Sequence, residues 1–271
     1  MILKIHAMKK KPVPLAIIIL PLCILVFSCS KEYSASGIAK APIEDSFNLT
    51  IRFRPMVDTL KLDFDSVYTN YWKEKYSVSA FKFYVSKFDL INTDSNRAYH
   101  LNSNKYFLVD ASDSSTWVVK LLAPAFNYNR ISFLIGVDSL RNVSGTQTGA
   151  LDPARGMYWS ATAGYIMAKL EGSSPVSPSN KIQYQIGGFS GDSSVLRKPT
   201  LLFPYGQTLQ VSAIPGHKSM VDIDADVNAW FFNPHQIKIK DNPSCVSPGP
   251  MAVDISENYS KMFNVKAVIN N

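Results

Sequence analysis

The chain has 271 residues, room for one large or two small domains. Hydrophobic residues make up 46% and charged residues 18%, which excludes a disordered chain, and three cysteines exclude a disulfide scaffold. Lys and Arg number 28 against 21 Asp and Glu, a balance of +7 that taken alone suits a nucleic-acid partner.

The N-terminus changes that reading. Lys4, Lys9, Lys10 and Lys11 precede an apolar run over 13–27. A positive segment ahead of a short apolar core is a secretory signal. The run is interrupted by Pro14 and Pro21 and falls short of the ~20 residues that span a bilayer. Val26-Phe27-Ser28-Cys29 has an aliphatic residue at −3 and a small one at −1 before Cys, and so resembles a bacterial lipobox. The expectation is a signal peptide over 1–28, with Cys29 as the lipid-bearing mature N-terminus. This places the protein in the bacterial cell envelope, held by lipid at the outer membrane. The four lysines leave with the signal, so 24 basic residues face 21 acidic ones and the balance falls to +3. The nucleic-acid reading goes with them. Cys245 is left as a lone thiol, either buried and inert or reactive.

Residues 29–45 are polar, with Gly37 and Pro42, and read as a tether. From Phe47 the pattern alternates: Phe47, Leu49, Ile51 and Phe53 share one face of a half-buried strand. Leu60, Leu62 and Phe64 repeat the period. In 78–90, Phe81, Phe83 and Val85 alternate and then slip to Phe88 and Leu90, which reads as a bulge. Further strands are expected at 106–109, 117–122, 131–137, 165–170, 182–186, 209–213, 221–225 and 237–239. The clearest helix is 251–263, where Ala252, Ile255, Tyr259 and Met262 fall at helical spacing behind Pro248-Gly249-Pro250. No long linker divides 46–271. The expected fold is all-β, a single-domain antiparallel β-sandwich with a short C-terminal helix.

Catalytic signals are sparse, and the chain is not expected to be an enzyme. His100, His217 and His235 are too scattered in sequence to pre-form a metal pair, and HExxH, CxxC and Gly-x-Ser-x-Gly motifs are absent. Gly187-Gly188-Phe189-Ser190-Gly191 follows a strand and reads as a turn. Asp222, Asp224 and Asp226 alternate with apolar residues as the outer face of a strand, and an EF-hand loop would need Gly and Glu where Val227 and Asn233 stand. His235, Cys245, Met251 and Met262 offer donors suited to copper, yet helix packing and burial account for Met262 and Cys245.

The segment 131–172 reads ISFLIGVDSLRNVSGTQTGALDPARGMYWSATAGYIMAKLEG. Its long loop carries Met157, Tyr158 and Trp159, which favours packing or binding over disorder. Gly136-Val137-Asp138, Gly149-Ala150-Leu151-Asp152-Pro153, Gly156-Met157-Tyr158-Trp159, Gly164-Tyr165 and Lys169-Leu170-Glu171-Gly172 resemble the MbnP family. So do Phe83-Tyr84-Val85-Ser86, Ile186-Gly187-Gly188-Phe189 and the C-terminal Asn258-Tyr259 and Met262-Phe263. The resemblance implies an exported β-sandwich that binds copper. It also implies a dihaem cytochrome of the c-type peroxidase class as partner, which oxidises a Trp to kynurenine beside His ligands. By that resemblance Trp159, Tyr165 and Gln185 mark the family site. The sequence departs from the family pattern where Ala161 replaces a second Trp, Gln185 replaces a His after Tyr184, and Arg54 replaces a His after Phe53. Trp159 is then either the surviving oxidisable residue or a packing aromatic. The expected function is that of a lipid-anchored extracytoplasmic MbnP-like protein. The alternative is a metal-free envelope module that binds a glycan or a partner protein through Tyr68, Tyr71, Trp72 and Tyr76.

Overall fold

A computed structural model describes residues 45–101 and 104–271, which belong to one compact unit. Cys29 and nearly all of the expected tether lie outside the described residues.

In chain order the strands are β1 (Ser46–Val57), β2 (Leu60–Lys61), β3 (Val67–Thr69), β4 (Lys75–Asn92), β5 (Arg97–His100), β6 (Phe107–Asp110), β7 (Val118–Pro124), β8 (Phe126–Tyr128) and β9 (Arg130–Ile135). The short helix α1 (Ser139–Asn142) follows. Then come β10 (Tyr158–Ser160), β11 (Gly164–Ser173), β12 (Ile182–Gly187), β13 (Thr200–Leu202), β14 (Leu209–Val211), β15 (Ser219–Asp226) and β16 (Ser244–Cys245). Helix α2 (Pro250–Tyr259) leads into β17 (Phe263–Asn270).

The strands form a β-sandwich. One sheet runs β17–β15–β1, with β7 and β2 on the other edge of β1. The larger runs β13–β9–β4–β11–β12–β16, with β3, β5 and β6 on β4 and β10 on β11. Alternation explains the core. Leu49, Ile51 and Phe53 point inward from β1, as do Val221, Ile223 and Ala225 from β15, and all are fully buried. Phe53 meets Phe83 and Phe133 of the facing sheet edge-on. The slip in β4 is a register shift between Ser86 and Asp89, with Lys87 at φ 48°.

Pairing departs from antiparallel at two places, because β1 runs parallel to β15 and β12 parallel to β16. A local pattern of alternation is the same for both directions. The extended set expected at Leu60, Leu62 and Phe64 shrinks to Leu60–Lys61, since only Leu62 of the three is buried. Ile237 and Ile239 are buried without forming a strand; the Ile239 N–H is taken by the Glu74 carboxylate instead of a ladder. The expected helix stops at Tyr259, and Phe263 opens β17, where Phe263 and Val265 alternate with Asn264 and Lys266.

Candidate functional site

The residues pointed to by the family motifs gather at β10, β11 and β12. Trp159 on β10 lies half-buried across Gly187 of β12: a Cβ on Gly187 would come within 2.4 Å of the indole ring. The indole Nε1 donates to Gln185 Oε1 at 3.0 Å, and Gln185 Nε2 donates to Glu171 Oε1 at 2.7 Å. Lys169 pairs in register with Gln185, and its Nζ sits 3.8 Å from Glu171 Oε1 and donates to the Gly156 carbonyl at 2.6 Å. Tyr184 and Ile186 point into the core, so Gln185 stands on the outer face of the larger sheet.

Tyr165 does not join this network. It is fully buried, its hydroxyl donates to the Leu151 carbonyl, and its ring packs on Tyr158 and Tyr84. Burial raises its pKa. The loop between β9 and β10 is ordered from within. Asp138 caps α1 and takes the Tyr106 hydroxyl and Lys87 Nζ, and Asn142 accepts the Tyr165 N–H while donating to the carbonyls of Val137 and Asp138.

Arg54 stands elsewhere. It extends outward from β1 between the inward Phe53 and Pro55, and its Nε lies 3.1 Å from Asp224 Oδ1. Arg52 and Asp222 pair one step back along the same parallel strands. The alternating aspartates are therefore the outer face of β15, and two of them are ion-paired. Asp226 instead caps the turn that begins at Val227. The positions of Arg54 and Gln185 sit on outer faces of different sheets.

Each of the three described histidines has its own partner. His100 Nδ1 bonds Asp89, His217 Nε2 meets the Gln210 carbonyl, and His235 lies between Glu257 and Asp254 at 2.7 and 3.5 Å. Met262 Sδ accepts the Trp230 indole N–H. Cys245 is buried, and burial pushes its thiol pKa up, which makes it the inert kind of thiol. Met262 is thus accounted for by packing, Cys245 by burial and His235 by its two carboxylates.

The sequence model of the MbnP family matches residues 46–247. The chain belongs to the MbnP family. A structural comparison finds MbnP from Methylosinus trichosporium, 14% identical, with 77% of this chain and 87% of that one covered and a TM-score of 0.46. Comparison with curated protein sequences gives no match.

The donors at Trp159 do not suit copper. Gln185 is an amide with its oxygen and nitrogen both engaged, Glu171 is tied to that amide, and Lys169 brings a positive charge to the same face. Among the described residues of this MbnP-family chain, no three His, Cys, Asp or Glu side chains are grouped to hold a metal. The motif residues here hold conformation. Gly136 (φ 112°), whose missing Cβ leaves room for Leu196 and Met167, is one example. Gly187→Ala is expected to lift the indole off β12 and break its bond to Gln185, costing about 1–3 kcal/mol. The check is the red shift of the emission that is absent in a Trp159→Phe background.

Proposed function

We propose that this MbnP-family protein is a lipid-anchored binding protein of the bacterial cell envelope, not an enzyme, whose family site has become a closed polar network in place of a copper centre. The observation that carries this reading is the Trp159–Gln185–Glu171–Lys169 chain of contacts, in which indole, amide, carboxylate and ammonium satisfy one another. Such a set fixes Trp159, and among the described residues its partners include no imidazole or thiolate. The lipobox-like Val26-Phe27-Ser28-Cys29 supports attachment through Cys29, and 243 mature residues with a charge of +3 suit life outside the cytoplasm. Anchoring puts the sandwich at the outer membrane.

The full chain, extracted in detergent, is titrated with Cu(II), and with Cu(I) under reducing conditions. The expected result is no one-to-one site tighter than about 1 µM (about −8 kcal/mol), and an unmodified Trp159 in the peptide mass spectrum. A tighter site that Trp159→Phe abolishes would sink the reading. Anchoring is read separately: the mature N-terminal peptide should begin at acylated Cys29, and Cys29→Ala should accumulate unprocessed precursor.

A further inference from the structure

The hairpin joining β3 to β4 and the turn after β15 meet in a second constellation, far in the chain from Trp159. Tyr71 is 60% exposed and Phe232 36%. Their rings stack at 3.9 Å and 10°. Exposed aromatics that pack on each other in this way form a flat apolar wall.

The wall is held from behind. Asn70 Oδ1 accepts the N–H groups of both Trp72 and Glu74. Trp72 Nε1 donates to the Phe231 carbonyl at 2.8 Å, and its indole meets Tyr71 and Phe232 edge-on. Lys238 Nζ covers the Trp72 ring at 5.1 Å. Little ordering is left to be done when something docks.

Beside the wall is an open cleft of about 370 Å³, lined by Tyr71 and Phe232 together with Asp58, Thr69, Lys73 and Asp226. That is the low end of the ~300–1,000 Å³ of small-molecule sites. Asp226 Oδ1 accepts the N–H groups of Asp58 and Asn228. Its Oδ2, the Asp58 carboxylate, the Thr69 hydroxyl and the Lys73 ammonium have no hydrogen-bond partner among the described residues. Burial also holds the Asp226 carboxyl above the ordinary carboxylate range. Two carboxyl groups disfavour an anion, and Lys73 disfavours a cation. What satisfies an aromatic wall, free acceptors and a free donor at once is a neutral ring with an apolar C–H face and hydroxyls at its rim.

We propose that this cleft binds the terminal ring of a neutral saccharide, stacked on Tyr71 and Phe232 and hydrogen-bonded by Asp58, Thr69, Lys73 and Asp226. A protein partner fits less well, since a specific interface needs about 800 Å² on each side and the wall is two rings wide. The cleft lies at the ends of β1 and β15, opposite Ser46. Twelve extended residues place it about 40 Å from the point where 29–45 join. The site does not depend on an anchor at Cys29.

The test is saturation-transfer NMR on the full chain in detergent, with maltotriose, cellotriose, xylotriose and mannotriose, and with trigalacturonic acid as the anionic probe. At least one neutral trisaccharide is expected to receive saturation on its ring C–H protons. Tyr71→Ala, at an exposed position whose folding is checked by circular dichroism, should weaken binding about tenfold or more. Tyr71→Phe should stay within about twofold, because the ring and not the hydroxyl makes the wall. The proposal is overturned by no transfer to any neutral trisaccharide, by transfer that Tyr71→Ala leaves unchanged, or by preference for trigalacturonic acid. None of these outcomes bears on the copper titration or on acylation of Cys29, so the two readings fail separately.

Discussion

Phe53→Ala is expected to lower the stability of the fold by about 3–5 kcal/mol. Phe53 is fully buried on β1, and its ring meets those of Phe83, Phe133 and Phe263 edge-on at 5.8, 5.4 and 5.9 Å. Phe83 and Phe133 belong to the larger sheet and Phe263 to β17 of the smaller one, so one ring joins both layers. Phe263 in turn contacts Phe83 at 5.3 Å and Phe133 at 5.0 Å. Each remaining ring is therefore held by the others and cannot easily swing into the space. The loss combines the transfer free energy of the benzyl group, the cavity left behind, and aromatic contacts worth about 0.5–1.5 kcal/mol each. Urea unfolding should show a lower midpoint at unchanged slope. A loss under about 2 kcal/mol would mean that the two sheets close over the gap.

The same ring shows what the sequence reveals and what it leaves hidden. Phe47, Leu49, Ile51 and Phe53 alternate strictly, so the buried face of β1 follows from period two alone, and so does the slip in β4 at Phe88. The partner of β1 does not. β15 lies some 170 residues away and runs parallel, and alternation carries no information on direction or on pairing across that distance. β17 was hidden because its Phe263 and Val265 follow directly on a helical pattern.

The candidate sites divide in the same way. Trp159 and Gln185 could be picked out by motif, but their contact depends on the β10–β11–β12 register and on the bare backbone of Gly187. Glu171 and Lys169 were visible only as part of a motif. Their role comes from the diagonal and direct neighbours that the register gives them. Of the four aromatics expected to form a binding face, Tyr68 and Tyr76 pair across β3 and β4 and are buried in the core, so only Tyr71 is exposed, with Trp72 half-buried behind it. Phe232, which completes the exposed wall, comes from the far end of the chain and has no local signal at all.

Glu74→Met is expected to cost about 3–5 kcal/mol and to release the segment around Lys240. Glu74 is buried, and its carboxyl is held by backbone and amide N–H groups, with no ion pair to a cation among the described residues. Oε2 accepts from Asn70 Nδ2 at 2.8 Å and from the Ile239 N–H at 2.7 Å, and Oε1 accepts from the Lys240 N–H at 3.1 Å. Methionine fills a similar volume but accepts from none of them with comparable strength. Three donors lose their partner, each at about 1–3 kcal/mol, offset by the more favourable burial of an apolar chain. Glu74→Gln keeps one strong acceptor and turns an N–H₂ toward a donor, so its loss should be about half as large. Amide hydrogen exchange reads the effect at its source. Ile239 and Lys240 are protected by this carboxylate and should exchange early in Glu74→Met, while the amides of β1 and β15 follow only the global loss. Continued protection of both amides would show that something other than Glu74 holds the turn. Because Lys238 sits on Trp72 in the same segment, and Asn70 of the cleft loses its bond to Glu74, the variant should also weaken saccharide binding at Tyr71.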